Sequence, residues 1–372
     1  MNKKKIVIVG STASSILKFR YDLINRLIME NYDVSVICNP PLKDEKEQLY
    51  NLNIKIYHFN LLNNRIKIFT DIIIFLKVYK YLKDIKPHIV MAYYVKPMIY
   101  AGIVTKILNI NFFPLITGLT YVFYSKQILR LMVKKILIYS YRFSFSHAKK
   151  IIFQNKNDLN YFEKLKISKN LRKVIIEGSG VDSSFYAYKK IPPLPLRFFL
   201  AARLLNEKGI IEYLEAASVL KKKYNQIVFY LAGDHDTSYD SINFKLLQKF
   251  ILNRTINYLG HKKDIKHILE TSHVYVLPSY HEGMPRSVLE AMSVGRPIIT
   301  TNVPGCRETV VDGVNGFLIN PKNVADLITK MEWFINNEDK IEEMGKKSRE
   351  IATKRFDNEV INTGFIKLFK DF

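Results

Sequence analysis

The segment Pro278-Ser279-Tyr280-His281-Glu282-Gly283-Met284-Pro285-Arg286-Ser287-Val288-Leu289-Glu290 holds the residues best suited to chemistry. Its apolar lead-in, 274–277, reads as a strand. The loop behind that strand carries Glu282, and the helix that follows carries Glu290 on its second turn. A helix start leaves backbone N–H groups without intrahelical partners, and Gly283, Met284 and the neighbours of Pro285 place such donors where an anion can sit. Glu282 can accept hydrogen bonds from sugar hydroxyls, and Glu290 from a second polyol such as a ribose. The bland reading is a carboxylate favoured by the helix dipole and one solvated glutamate.

A second group lies upstream. Arg203 and Lys208 stand in Ala201-Ala202-Arg203-Leu204-Leu205-Asn206-Glu207-Lys208-Gly209, directly after a strand-like run. Two cations at the end of a strand and the start of a helix suit a diphosphate, each through a charge-assisted hydrogen bond of about 1.5–3 kcal/mol. The bland reading, which spacing alone favours, is two solvated surface charges. Near the N-terminus, Gly10-Ser11-Thr12 closes a strand before a helix, which makes either a tight connection or a turn that lets a phosphate approach backbone amides. No further glycines follow at dinucleotide spacing and no Walker lysine loop occurs. Gly233-Asp234-His235-Asp236 has the look of a metal-binding Asp-x-Asp, but no further carboxylate cluster supports a metal, and it reads as a polar turn. No metal site is expected.

These groups need elements to position them. Short β-branched runs at 6–9, 34–38, 54–59, 88–92, 112–117 and 151–154 alternate with helical patterns such as 19–29, 66–83 and 127–148. Continuous apolar strands between helices imply a parallel sheet covered on both faces. The pattern restarts after the proline cluster Ile191-Pro192-Pro193-Leu194-Pro195, with strand-like runs at 198–201, 227–232, 256–259, 274–277 and 297–300. The expected fold class is therefore α/β with two doubly wound, parallel-sheet, Rossmann-like domains facing a central cleft. They span 1–187 and 197–352, joined by a linker at 188–196, and residues 353–372 form a final helix packing back on the first domain. Ligands of such sheets bind outside the carboxyl ends of the strands.

Composition narrows the partners. The 372 residues include 57 Lys+Arg and 34 Asp+Glu, a formal net charge of +23. Residues 1–190 hold 32 Lys+Arg against 12 Asp+Glu, and residues 191–372 hold 25 against 22. The 73 residues between Asp84 and Asp158 contain no carboxylate and 11 Lys+Arg. Such a half meets nucleic acid, an anionic membrane or a phosphorylated substrate. Only two cysteines occur, Cys38 and Cys306, which excludes a disulfide scaffold and points to a reducing compartment. The apolar run before Gly10 is too short for a signal peptide, and Lys106, Asn109, Asn111 and Pro114 interrupt the apolar stretch 98–119. A cytoplasmic protein is expected, with membrane contact possible at its surface.

Taken together these residues resemble the retaining glycosyltransferases of family 4, which have the GT-B fold. The resemblance rests on Glu282 to Glu290 as a Glu-x7-Glu signature, continued by Ala291 to Ile299, Val303-Pro304-Gly305-Cys306-Arg307-Glu308 and Asn315-Gly316-Phe317-Leu318. Arg203 with Lys208-Gly209, Gly178-Ser179-Gly180-Val181-Asp182, and Gly260 with Asp264-Ile265 also match in order and spacing. Lys96-Pro97-Met98-Ile99-Tyr100 and Ile116-Thr117-Gly118-Leu119 are similar to the subgroup that builds capsule, O-antigen and lipid-linked glycans, among them N-acetylgalactosaminyltransferases acting on undecaprenyl-diphosphate-linked sugars. Thr120 replaces a glycine usual there, and a histidine common near Tyr94–Val95 is missing.

The resemblance implies that Arg203 and Lys208 hold the donor diphosphate, that Glu282 contacts the transferred sugar and Glu290 the ribose, and that His261-Lys262 flanks the base. It further implies donor contacts from Gly10 and Ser11, a UDP-linked donor, and no metal cofactor. The acceptor would be a lipid-diphosphate-linked sugar met by Lys96, Tyr100, Thr117 and Gly118. The basic stretch 126–150, with Lys126, Arg130, Lys134, Lys135, Arg142, Lys149 and Lys150, would sit on the anionic inner face of the inner membrane; the bland reading is an amphipathic helix packed on its own sheet with a solvated basic face, and both can hold at once. Two other functions compete. A nucleotide-sugar 2-epimerase shares the fold but fits the Glu-x7-Glu segment poorly. A nucleic-acid binder is suggested by charge alone, and neither a recognition helix nor an aromatic-basic stacking motif is evident.

Overall fold

A computed structural model describes residues 3–61, 68–118, 128–167, 171–235 and 240–372. The chain forms two compact units, Met1–Ser179 with Ile361–Phe372, and Gly180–Val360. The first is built from β1 (Lys5–Val9), α1 (Ala13–Met29), β2 (Asp33–Cys38), α2 (Lys43–Tyr50), β3 (Lys55–His58), α3 (Ile68–Ile85), β4 (Ile89–Tyr93), α4 (Val95–Ile107), β5 (Asn111–Ile116), α5 (Ile128–Phe145), β6 (Lys150–Phe153), α6 (Lys156–Lys164) and β7 (Arg172–Ile175). Its strands are all parallel, in the order β3-β2-β1-β4-β5-β6-β7. Successive side chains of a strand point to opposite faces. Ile6 and Ile8 of β1 therefore enter a core with α1, while Val7 and Val9 enter a second core with α3, α4 and α5.

The second unit contains β8 (Arg197–Ala201), α7 (Ile210–Lys223), β9 (Val228–Ala232), α8 (Phe244–Leu252), β10 (Asn257–Tyr258), α9 (Lys266–Glu270), β11 (Val274–Leu277), α10 (Arg286–Val294), β12 (Ile298–Thr301), β13 (Gly316–Ile319), α11 (Val324–Asn336) and α12 (Lys340–Ile351). Its sheet is again parallel, in the order β10-β9-β8-β11-β12-β13. The strand order reverses between β1 and β4 in one unit and between β8 and β11 in the other. A doubly wound sheet opens its ligand crevice at that reversal, at the carboxyl ends of the strands.

Three features differ from the sequence expectation. The strands β7 and β13 escape it, β7 because it is short and cationic (Arg172-Lys173-Val174-Ile175) and β13 because it starts on Gly316. At Gly316 a side chain would lie 1.8 Å from the Ile298 carbonyl oxygen, so only glycine fits against β12. The units divide at Ser179 rather than at 187, and the 188–196 segment belongs to the second unit. Buried Arg296 ties it there, donating to the carbonyls of Lys189 (2.6 Å) and Lys190 (3.3 Å), while the Lys189 amide donates to Val294.

The closing helix α13 (Asn358–Lys370) sets Ile361, Phe365, Ile366, Leu368 and Phe369 into the α1-side core of the first unit. Phe369 and Phe372 both meet Phe113 edge-on at 5.3 Å, and the Arg20 guanidinium lies over the Phe365 ring. Phe365→Ala should therefore destabilise the first unit by about 3–5 kcal/mol in urea unfolding. A loss below about 1 kcal/mol would mean that the helix merely rests on the surface.

Candidate functional site

In the second unit, the segments after β8 and β11 meet at the sheet's reversal point. After β8, a short turn at Asn206–Lys208 ends on Gly209, whose φ is +69°. A Cβ there would lie 2.1 Å from the Pro278 carbonyl oxygen, so the left-handed backbone and the close approach both require glycine. Backbone contacts lock the two segments. The Tyr280 amide donates to the Glu207 carbonyl at 2.8 Å, and the Ser279 hydroxyl donates to the same oxygen at 3.0 Å. Thr301 of β12 donates to the Ser279 carbonyl.

That locking brings Lys208 and Glu282 together, 74 residues apart in sequence, with Nζ 2.7 Å from Oε1. Their side chains are only 13% and 16% exposed. Burial pulls the Lys208 ammonium towards neutrality, but the Glu282 carboxylate outweighs it and raises the group above its ordinary range. Lys208 is thus held as a cation, and Arg203, exposed at the mouth of the same turn, is near enough to repel it. Beneath the pair, burial pushes the Cys306 thiol up to about 12, with Glu282 adding to the shift, so this cysteine stays an unionised packing group.

The helix α10 begins at Arg286 with Pro285 as its cap, so the first helical amides are those of Arg286, the neighbour of Pro285, and Ser287, while Gly283 and Met284 lie on the loop before it. Glu290 accepts from Arg286 Nε at 3.0 Å and is buried. Burial, with Glu290 beside it, raises the Tyr186 hydroxyl above its ordinary range. The Glu290 carboxylate therefore sits between a guanidinium and a phenol at the foot of the loop. His261 and Lys262 lie on the exposed loop after β10. Asp234 follows β9 as a turn residue, and Asp236 lies outside the described residues. Among the described residues no three His, Cys, Asp or Glu side chains gather into a metal-binding group.

The first unit has its own reversal point, flanked by the β1–α1 turn and the start of α4. Gly10 is required by packing, since a Cβ would lie 2.6 Å from the Tyr93 hydroxyl oxygen. Tyr93 in turn bonds Ser15, and Thr12 caps α1 by accepting from the Ser15 amide. Ser11 is partly exposed in the same turn. On α4, Lys96 and Tyr100 both donate to Asp71 Oδ1 of α3, at 2.8 and 2.7 Å. Thr117 and Gly118 follow β5, with Gly118 at φ +120°. Lys126 and Thr120 lie outside the described residues, as does the Arg130 side chain. Lys134 donates to the Tyr161 hydroxyl at 2.7 Å and lies over its ring, so it is held by α6, while Lys135 is exposed.

Sequence reasoning missed three groups. Arg286 was legible as the i, i+4 partner of Glu290. Asp71 and the Glu212–Tyr280 pair were not, because each joins residues far apart in the chain. The Tyr280 hydroxyl donates to the buried Glu212 of α7, and Lys322 covers the Tyr280 ring.

Comparison with known proteins places these features. Residues 189–351 match the family model of glycosyl transferases group 1, and residues 5–155 match the glycosyl transferase 4-like model. An N,N'-diacetylbacillosaminyl-diphospho-undecaprenol alpha-1,3-N-acetylgalactosaminyltransferase of Campylobacter jejuni is 25% identical over 98% of both chains. A UDP-Gal:alpha-D-GlcNAc-diphosphoundecaprenol alpha-1,3-galactosyltransferase of Escherichia coli is 26% identical over 81% of this chain and 80% of its own. Among solved structures, Anabaena HepE in complex with UDP superposes with a TM-score of 0.79 at 18% identity, over 99% of this chain and all of that one. A likeness at that identity establishes the fold.

The Lys208–Glu282 pair can be weighed directly. A cycle of Lys208→Met, Glu282→Gln and the double variant should give a coupling of about 1–3 kcal/mol in denaturant unfolding. A coupling indistinguishable from zero would mean the two groups are solvated independently.

Proposed function

Because this chain belongs to the group 1, 4-like glycosyltransferases and has their GT-B fold, we propose that it moves a sugar from a UDP-linked donor onto a lipid-diphosphate-linked sugar in bacterial surface-glycan assembly. The second unit is the donor half in this reading. The observation that carries it is the buried Lys208–Glu282 pair beside Arg203 at the reversal point of that unit's sheet. Support for the acceptor comes from the Campylobacter and Escherichia relatives, whose names specify undecaprenol-linked acceptors. An N-acetylhexosamine is the proposed donor sugar, after the first of those relatives.

The chemistry follows from the charges. Breaking the bond between the sugar and the diphosphate builds negative charge on the departing nucleotide. Lys208, kept cationic by Glu282, and Arg203 stabilise that charge without reorganising, and the first amides of α10 add partial positive charge. Glu282 exchanges part of its hold on Lys208 for the sugar's hydroxyls, and Glu290 accepts from the ribose. These protein cations do the work that a divalent ion does elsewhere, so the reaction is proposed to run without a metal. Retention at the anomeric carbon is carried from the family. In the first unit, Lys96 and Tyr100, held by Asp71, are assigned to the acceptor. The enzyme is proposed to act at the cytoplasmic face of the inner membrane, where its basic half meets anionic lipid.

Lys208→Ala and Glu282→Ala should each lower transfer by about 100-fold or more, the scale of losing one preorganised electrostatic contact, with the far- and near-ultraviolet circular dichroism unchanged. The assay pairs a panel of UDP-sugars with undecaprenyl-diphosphate-linked acceptors. Turnover near wild type in either variant would remove that residue from the site. Epimerisation of the UDP-sugar in the absence of any acceptor would instead revive the epimerase reading.

A further inference from the structure

Two helices of the first unit carry apolar stripes on the wrong side. In α3, Ile74, Val78 and Leu82 are buried against the sheet, as an amphipathic helix requires. Yet Phe69, Ile72, Ile73 and Leu76, spaced i, i+3, i+4, i+7, are exposed, Phe69 to 85%. In α5, Tyr141 and Phe145 enter the same core, while Met132, Ile136, Tyr139 and Phe143, spaced i, i+4, i+7, i+11, are exposed, Tyr139 to 66%. Such spacing puts each set on one face of its helix. Both helices pack on α4 and cover the same face of the sheet, so both outer stripes point away from it. By rise per residue the stripes run about 10 and 16 Å along their helices. Scattered exposed apolar side chains are ordinary, but two helices that flank α4 on one face of the sheet each carry an aligned outer stripe of them, which is more than scatter.

The charges around the stripes say which partner. On α3 the outward side continues from Leu76 into exposed Lys77, Lys80 and Lys83, and on α5 Lys135 and Arg142 border the stripe. Lys106 of α4 lies 4.4 Å from the centre of the Phe143 ring. The carboxylates of these three helices are Asp71, paired with Lys96, and Asp84. A second copy of the chain would bring the same cations face to face, whereas an anionic bilayer supplies both the apolar depth and the opposite charge. We infer that α3 and α5 together insert these apolar side chains at the interface of an anionic membrane, with the flanking cations on its headgroups. The basic stretch read from sequence supplies only half of this surface: α3 is an equal partner, and Lys134 is engaged with Tyr161. The inference deepens the proposed membrane location and rests on the lipid-linked acceptor only for its effect on transfer.

Insertion and pure electrostatics separate by salt. The test is co-sedimentation with vesicles of phosphatidylcholine and phosphatidylglycerol, at low salt and at salt that shortens the Debye length to about 3 Å. Wild type should retain a bound fraction at high salt. The variants Phe69→Ser/Ile72→Ser/Leu76→Ser and Met132→Ser/Ile136→Ser/Phe143→Ser replace exposed residues, so both should melt like wild type. Each should weaken high-salt binding by at least about tenfold. Transfer to a water-soluble short-chain acceptor should stay unchanged while transfer to the vesicle-borne lipid falls. Wild-type binding abolished by salt, variants that bind like wild type, or a wild-type dimer that these variants dissolve would each overturn the inference. Vesicle binding as expected with no transfer to any acceptor would instead overturn the proposed function and leave the docking surface standing.

Discussion

The contact between the β8 and β11 loops is the constraint on which the proposed donor site depends. Gly209 presses against the Pro278 carbonyl in a conformation that only glycine adopts cheaply, and Tyr280 and Ser279 donate to Glu207 across the gap. Those bonds bring Lys208 and Glu282 within 2.7 Å. At a fully solvated surface such a pair would contribute little. Here both side chains are largely withdrawn from water, so neither can be removed without leaving the other poorly compensated. A cation fixed in this way would need no reorganisation to meet the diphosphate of the proposed donor. The Glu212–Tyr280 contact braces the same loop from α7.

How much of this was legible follows from how local each feature is. The parallel sheets were, because buried strands such as Ile6-Val7-Ile8-Val9 and Val274-Tyr275-Val276-Leu277 are continuous apolar runs. Of the four edge strands, β3 and β10 were legible and two were not: Arg172-Lys173-Val174-Ile175 carries too little apolar content, and β13 opens on a glycine that only its β12 neighbour explains. Residues of the donor loop were legible as a spacing of glutamates and cations. Their pairing was not, since it depends on a contact between segments 74 residues apart. The linker shows the same limit. A proline cluster reads as a boundary, but Arg296, more than a hundred residues later, fastens it to the second unit.

The two halves divide their charge to match their partners in the proposed reaction. The second unit is nearly neutral, and two cations of its candidate site are paired with carboxylates: Lys208 with Glu282 and Arg286 with Glu290. In the first unit cations outnumber carboxylates, and two apolar stripes lie among them. A charge count alone suggested an electrostatic surface. The placement of Phe69, Ile72, Ile73 and Leu76 on the outside of α3 adds a hydrophobic component that composition could not reveal, because the same residues facing inward would have been ordinary core.

The division of labour between Lys208 and Glu282 is tested most directly by calorimetric titration of UDP and of the UDP-sugar into wild type, Lys208→Met and Glu282→Gln. If Lys208 holds the diphosphate and Glu282 the sugar, Lys208→Met weakens both ligands, whereas Glu282→Gln weakens the UDP-sugar and leaves UDP bound at least as tightly as wild type. Undiminished UDP binding by Lys208→Met, or equal loss of UDP in both variants, would contradict it.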